Sequence, residues 1–494
     1  MRRICLILIS LIFVLPTNIC AQSFEEYRKR VLSEFNNYKE QTHKEFEEYR
    51  KRINAEYAAY LKRAWVETEV QPEIPAPKPN PPAPTVYKPE DDAPAPVVIT
   101  PPVTPPITTP VTLPPAEEKP LTVNLKPIPL KELPKSRLEV NFFGEECSLH
   151  ADKEAFREPL RDNSEKSVSK YWVMLSDGRT DALVNDCLLL REELELCDWA
   201  YYQLVKAISS AMYGDDKCNE AVVLQAYLMT QVGYKVRMGR TDDELRVLLS
   251  SNSTIYSTSY LHIGDLKYYL LQGTYGKPIY ICDFEFPGER VFSLKMDKLP
   301  LLPMEEVAGR ELQAQKYPST KVVVNHNGNM LAFLETYPHC SIDNYAIASL
   351  DDTAKDALYP VLKKAIDKLP EDVAANVLIN FVQTAFEYKV DDQQFGYERS
   401  FFANETLYYP FSDCEDRSVL FATLVRDLLG LDVVLLDYPD HIATAVCFKE
   451  DVEGDYMMIN DKKYLVCDPT YIGANIGHAM PSYRTVAANI VKLN

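Results

Sequence analysis

The sequence predicts an α+β protein in which one helix-plus-sheet unit occurs twice, preceded by a long amphipathic helix and a proline-rich linker. Three observations predict it. Between residues 412 and 471, a cysteine-headed apolar stretch is followed by runs that alternate with period two. A diverged counterpart begins at Cys218. Ahead of both lie an aromatic repeat and then most of the prolines.

Residues 1–21 have the pattern of a secretory signal: Arg2 and Arg3, an apolar run over residues 4–15, then Ile19, Cys20 and Ala21 before Gln22. The run is too short to span a bilayer, and Ile19 is too bulky ahead of Cys20 for a lipidation site. The mature chain is therefore expected to be secreted or periplasmic. Its 494 residues carry a net charge of −19, which argues against nucleic acid or anionic lipid as a partner. Of 11 cysteines, Cys5 and Cys20 leave with the signal, and the odd remainder is too sparse for a disulfide scaffold. No CxxC pair or histidine cluster points to a metal, and no cofactor is expected.

Residues 22–65 form an 11-residue repeat. Phe24, Phe35, Phe46 and Tyr57 recur in register, each followed three residues later by Tyr27, Tyr38, Tyr49 or Tyr60. Eleven residues make three helical turns, so the aromatics fall in one nearly straight stripe. Such a stripe must be buried, either on the protein's own body or by self-association or a partner along residues 23–65. Residues 66–135 hold 21 of the 35 prolines and read as a polyproline spacer.

The rest divides into modules at 136–318 and 319–494. In the first, Cys218 opens CNEAVVLQAYLMTQVGYKV, and Val223, Leu224, Ala226 and Leu228 match Val419, Leu420, Ala422 and Leu424 by offset from the cysteine. PIYICDFEF mirrors KYLVCDPTY, which sets Cys282 and Asp283 opposite Cys467 and Asp468. The position matching His441 falls near Thr254 or Ile255, and His262 lies at the wrong end of its strand, so this copy is expected to be degenerate. Between the modules, His326 and Asn327 precede Gly328 in a hairpin signal. Amphipathic helices are expected over 351–369 and 371–386, then a long loop over 389–411.

In the second module, residues 419–429 cover a wide apolar helical face, and Gly430 supplies the stop. Cys414 is thus placed at a helix N-terminus, which favours a thiolate, although Asp413, Glu415 and Asp416 oppose it. His441 opens a strand, and Asp468 ends the next but one. The three residues are evenly spaced, 27 apart. Cysteine, histidine and aspartate in that order suit a nucleophile, its base and the group that orients the base. Gln393, Gln394, Tyr408 and Tyr409 are candidates for an oxyanion donor beside the Cys414 backbone N–H. His326, His339 and His478 are expected to be surface or turn residues.

This stretch resembles the transglutaminase-like superfamily, in its bacterial branch of papain-fold cysteine enzymes. The resemblance rests on Cys414 with Asp416, the helix to Gly430, the strand that His441 opens, Asp468-Pro469-Thr470, and the upstream text FGYERSFFANETLYYPFSDCEDRS. It covers about a quarter of the chain. It implies papain-like folds in tandem, and acyl transfer through a thioester on Cys414, with His441 moving the proton and Asp468 orienting His441. The tryptophan that transglutaminases place near the oxyanion has no counterpart, so a peptidase or amidase is expected over a protein crosslinker. The substrate would be a peptide or protein. The alternative is an inert papain-fold binding or scaffold protein.

Overall fold

The computed structural model describes residues 44–45, 48–74, 84–92, 95–101, 133–271, 276–282 and 288–493. The signal, the repeat as far as residue 43, and Asp283 lie outside the described residues. The architecture is α+β, as expected, with two curled sheets. Early strands are β1 (Val66–Thr68), β2 (Gln71–Glu73) and β3 (Val98–Ile99), followed by a hairpin of β4 (Arg137–Phe142) and β5 (Glu145–His150). The first half continues with β6 (Val236–Arg240), β7 (Leu245–Ser250), β8 (Thr258–Ile263), β9 (Leu266–Leu270) and β10 (Ile279–Ile281). The second half adds β11 (Asp432–Asp437), β12 (Ile442–Cys447), β13 (Tyr456–Ile459), β14 (Lys462–Cys467) and β15 (Asn489–Lys492).

The first sheet runs β1-β10-β6-β7-β9-β8-β2, and the second runs β15-β11-β12-β14-β13-β3. Without β1, the two orders correspond strand for strand. Each sheet follows a buried helix, Asn219–Gln231 in the first half and Cys414–Leu429 in the second. Both helices stop at or just before a left-handed glycine. Gly233 (φ +83°) and Gly430 (φ +65°) take the left-handed conformation that a Cβ would penalise.

This strand order corrects the expected alignment of the halves. Within PIYICDFEF, Ile279–Ile281 form β10, which lies beside β6 and answers to β15, not to the β14 that precedes Asp468. The residue that precedes β7, as His441 precedes β12, is Glu244 rather than Thr254 or Ile255. The residue that follows β9, as Asp468 follows β14, is Leu271.

Side chains from both halves share one core between the sheets and their helices. Each sheet also buries its other face under a smaller cluster. On the second sheet this outer cluster gathers Leu436, Tyr438, Ala443, Ala445, Tyr471 and Tyr483. Tyr438 and Tyr483 of this cluster lie against the ring of His441.

The aromatic stripe packs on its own body where it is described. In the helix over residues 48–61, Tyr49, Ile53, Tyr57, Tyr60 and Leu61 are buried. Tyr57 stacks on Trp172 with ring centroids 4.3 Å apart and donates to the Val236 carbonyl. Arg50 Nε donates to Gln231 Oε1 at 2.9 Å.

The stretch expected to be a spacer is partly built into the fold. β1 and β2 edge the first sheet, β3 pairs in parallel with β13, and Val86 bridges to Ile472. Segments as short as Val66–Thr68, Gln71–Glu73 and Val98–Ile99 suffice for this, because an edge strand needs few donors. Residues 328–335 are a helix rather than a hairpin arm: the Asn327 side chain caps its N-terminus by accepting from the Asn329 N–H. The expected helices are present at Asp352–Ile366 and Glu371–Thr384. The loop over 389–411 contains short helices at Asp391–Gln394 and Ala403–Tyr408.

Candidate functional site

Cys414 is the first residue of its helix, and 3 % of it is exposed. The helix is fixed in place by Arg417, a buried guanidinium that donates to Ser412 Oγ (3.2 Å) and to the carbonyls of Gln383 (3.2 Å) and Phe386 (3.0 Å). Asp416 accepts from the backbone N–H groups of Phe401 (2.9 Å) and Asp413 (3.2 Å), which ties the upstream loop to the helix start. These contacts give the short motif its geometry.

His441 precedes β12 and Asp468 follows β14, two adjacent antiparallel strands. His441 Nε2 lies 2.9 Å from Asp468 Oδ2, in a pair with side chains 0 % and 3 % exposed. Asp468 Oδ1 accepts from the Thr470 N–H at 2.8 Å. Gln383 braces the turn after Asp468 by donating to the carbonyls of Asp468, Tyr471 and Ala474. With the carboxylate on Nε2, the Nε2–H tautomer is favoured and Nδ1 carries the free lone pair. Nδ1 is buried and has no hydrogen-bond partner among the described residues. The ring is covered by Tyr483, with centroids 4.8 Å apart at 27°, and Tyr438 stacks at 6.1 Å.

The structure therefore brings His441 and Asp468 into contact, while Cys414 joins them less directly. The Ile442 backbone N–H, next after His441, acts on the sulfur, whereas the thiol donates to Glu415 Oε2 at 3.0 Å. Burial pushes the Cys414 thiol well above its ordinary range, and the Glu415 and Asp413 carboxylates push it further. The resting form is a protonated thiol.

Around it lies a buried group of acids. Ligand atoms of Asp413, Cys414 and Glu415 fall within 4.8 Å of one another, as do those of Asp391, Asp413 and Asp416. Burial and then mutual repulsion push Asp391 up to about 7, and raise Asp413 and Asp416 well above the carboxylate range. Among the described residues, these hard oxygen donors are the ones that could hold a divalent cation. Asp413, Glu415 and Asp416 were visible in the sequence beside Cys414; Asp391 was missed because it comes from the upstream loop.

Of the expected oxyanion donors, Gln393 and Tyr408 are exposed, and the Tyr409 hydroxyl accepts from Arg399 at 3.4 Å. Burial above all raises the Tyr388 phenol, which lies near Cys414. His326 is buried rather than at the surface, and burial with the nearby Arg310 pushes it down to about 4. His478 is half-buried against Asp92 at 3.3 Å. In the first half, Cys218 donates to the Asp215 carbonyl, and the residue at the His441 position, Glu244, is exposed and paired with Arg246. No base faces Cys218 from that position. No disulfide links the nine described cysteines. No family model, curated protein or solved structure matches this chain. No described helix is long and apolar enough to cross a membrane.

Proposed function

We propose that this chain is a transglutaminase-like cysteine hydrolase or acyltransferase that acts on peptide-type amides outside the cytoplasm, built from two papain-like units of which only the second is chemically complete. The observation that carries the proposal is the buried His441–Asp468 pair, with its Nε2 committed and its Nδ1 open, one residue from the amide that acts on Cys414. The matching strand orders of the two sheets support the tandem reading.

In the reaction, the Cys414 thiol gives its proton to His441 Nδ1, and the thiolate attacks the amide carbonyl carbon. The carbon–nitrogen bond breaks, and His441 returns the proton to the departing amine, leaving a thioester on Cys414. Water or a second amine then attacks the thioester while His441 takes its proton, and the thiol is restored. Asp468 holds the ring and stabilises the imidazolium. For the first step, the thiol must leave Glu415 for His441.

A second reading, an inert papain-fold scaffold, draws on that same Cys414–Glu415 hydrogen bond. A peptide library incubated with the wild-type chain and with Cys414→Ala, read by mass spectrometry, separates the two. Cleavage or transamidation that disappears with Cys414→Ala supports the enzyme, and products of equal yield from both chains exclude it.

A further inference from the structure

We propose that residues 84–92 act as an autoinhibitory strap that locks a tyrosine lid over the candidate site; this rests on the reading that Cys414, His441 and Asp468 form that site. Cys414, His441 and Asp468 are 3 %, 1 % and 3 % exposed, so an extended substrate cannot reach the sulfur and the imidazole until something moves. The group lying on His441 is the Tyr483 ring, and its hydroxyl donates to Asp440 at 3.0 Å. Tyr483 ends the short turn Pro481–Tyr483, and Arg484 follows it directly.

The strap grips this segment from both sides. Arg484 Nη1 donates to the Asp91 carbonyl at 2.6 Å, and His478 meets Asp92. Tyr87 sets its ring edge-on to His478 at 5.3 Å and to Tyr471 at 5.8 Å. Beneath, the Tyr471 hydroxyl donates to Asp91 at 2.9 Å. The backbone joins as well: the Tyr87 N–H donates to the Ile472 carbonyl (2.9 Å) and the Ile472 N–H to the Thr85 carbonyl (2.8 Å). One element thus holds both the turn that follows Asp468 and the turn that carries Tyr483.

The strap itself is weakly anchored. None of its residues is buried, including the whole short helix Pro89–Asp91. Solvent-exposed hydrogen bonds backed only by the partly buried Tyr87 ring open locally, at a free energy well below that of global unfolding. The strap can therefore lift while the sheet beneath stays folded, which strips residues 478–484 of these contacts, leaves Asp455 to hold Ala479 and Arg484, and lets Tyr483 leave His441.

The test is iodoacetamide labelling of the full chain, with each cysteine followed by peptide mass spectrometry. Residues 84–92 are replaced by a Gly-Ser sequence of equal length. Labelling of Cys414 is expected to rise at least about tenfold, with the core residues Cys187 and Cys467 still protected. An unchanged Cys414 rate overturns the proposal. Should the replacement loosen the fold, as labelling of Cys187 would reveal, Tyr87→Ala takes its place; a rise of at least about threefold is expected there, and an unchanged rate again overturns it. Labelling reads access to the sulfur, not turnover. A Cys414 that opens but forms no thioester would sink the enzyme reading and leave the strap standing, and a thioester-forming Cys414 indifferent to the strap would do the reverse.

Discussion

The Cys414 thiol donates to Glu415 Oε2 at 3.0 Å, while the buried Nδ1 of His441 receives no hydrogen bond from the described residues. Burial first, and then the carboxylate next in sequence, keep the sulfur protonated. Glu415→Gln keeps the shape of the side chain and removes the charge. A hydrogen bond to a charged group contributes roughly 1.5–3 kcal/mol, so labelling of Cys414 by iodoacetamide at pH 7 should rise by about tenfold or more. The same rate in the variant would show that Glu415 does not restrain the thiol.

Asp468→Asn leaves an acceptor for the Thr470 N–H but can invert the tautomer of His441, placing the proton on Nδ1. Turnover should fall by about 10³–10⁴-fold, as in triads where the orienting carboxylate is replaced by its amide. Steady-state kinetics on a substrate found in the library screen would measure this. A loss below tenfold would mean that Asp468 only supports the fold.

The helix over residues 48–61 should be part of the folded unit. Tyr57→Ala removes a fully buried ring that stacks on Trp172 and is expected to cost about 3–5 kcal/mol in urea unfolding. A cost near zero would mean that the helix does not dock in solution.

Arg237 and Glu289 form a two-pronged ion pair at 3.0 and 2.8 Å, with both side chains 0 % exposed. Glu289→Ala leaves that guanidinium without its counter-charge and should destabilise by about 3–5 kcal/mol. Glu289→Gln, which still accepts from the guanidinium, should cost less. Urea unfolding of both variants checks the order.

Stability should fall as pH rises from about 4.5 to 8. Burial raises Asp391 and Glu405 to about 7, and also raises Asp351, Asp413 and Asp416. Over that range the folded chain holds protons that the unfolded chain has released, so the stabilisation present at low pH is lost as these groups ionise. His326, pushed down to about 4, works the other way, but only below its unfolded value of 6.5. Urea midpoints at pH 6.5 and 8 isolate the acids, and a higher midpoint at pH 8 would contradict their assignment.

Local chemistry was legible in the sequence, and pairing between distant segments was not. The apolar face of residues 419–429, the stop at Gly430, and the alternation after His441 fixed the helix and strands that carry Cys414, His441 and Asp468. The likeness of PIYICDFEF to KYLVCDPTY misled, because strand order is set by partners far along the chain: Ile281 pairs with Gly239, whereas Cys467 pairs with Thr444. Val98 and Ile99 gave too short a signal to reveal β3 among the prolines. The restraint of Cys414 by Glu415 depends on side-chain direction at a helix start, which residue spacing does not encode.

The most direct test of the central claim is trapping with a peptide chloromethylketone, comparing the full wild-type chain with His441→Asn by peptide mass spectrometry. If Cys414, His441 and Asp468 act together, the label goes to Cys414, and the variant takes it up at least about 100-fold more slowly. Equal rates of labelling at Cys414 in the two chains would contradict the account.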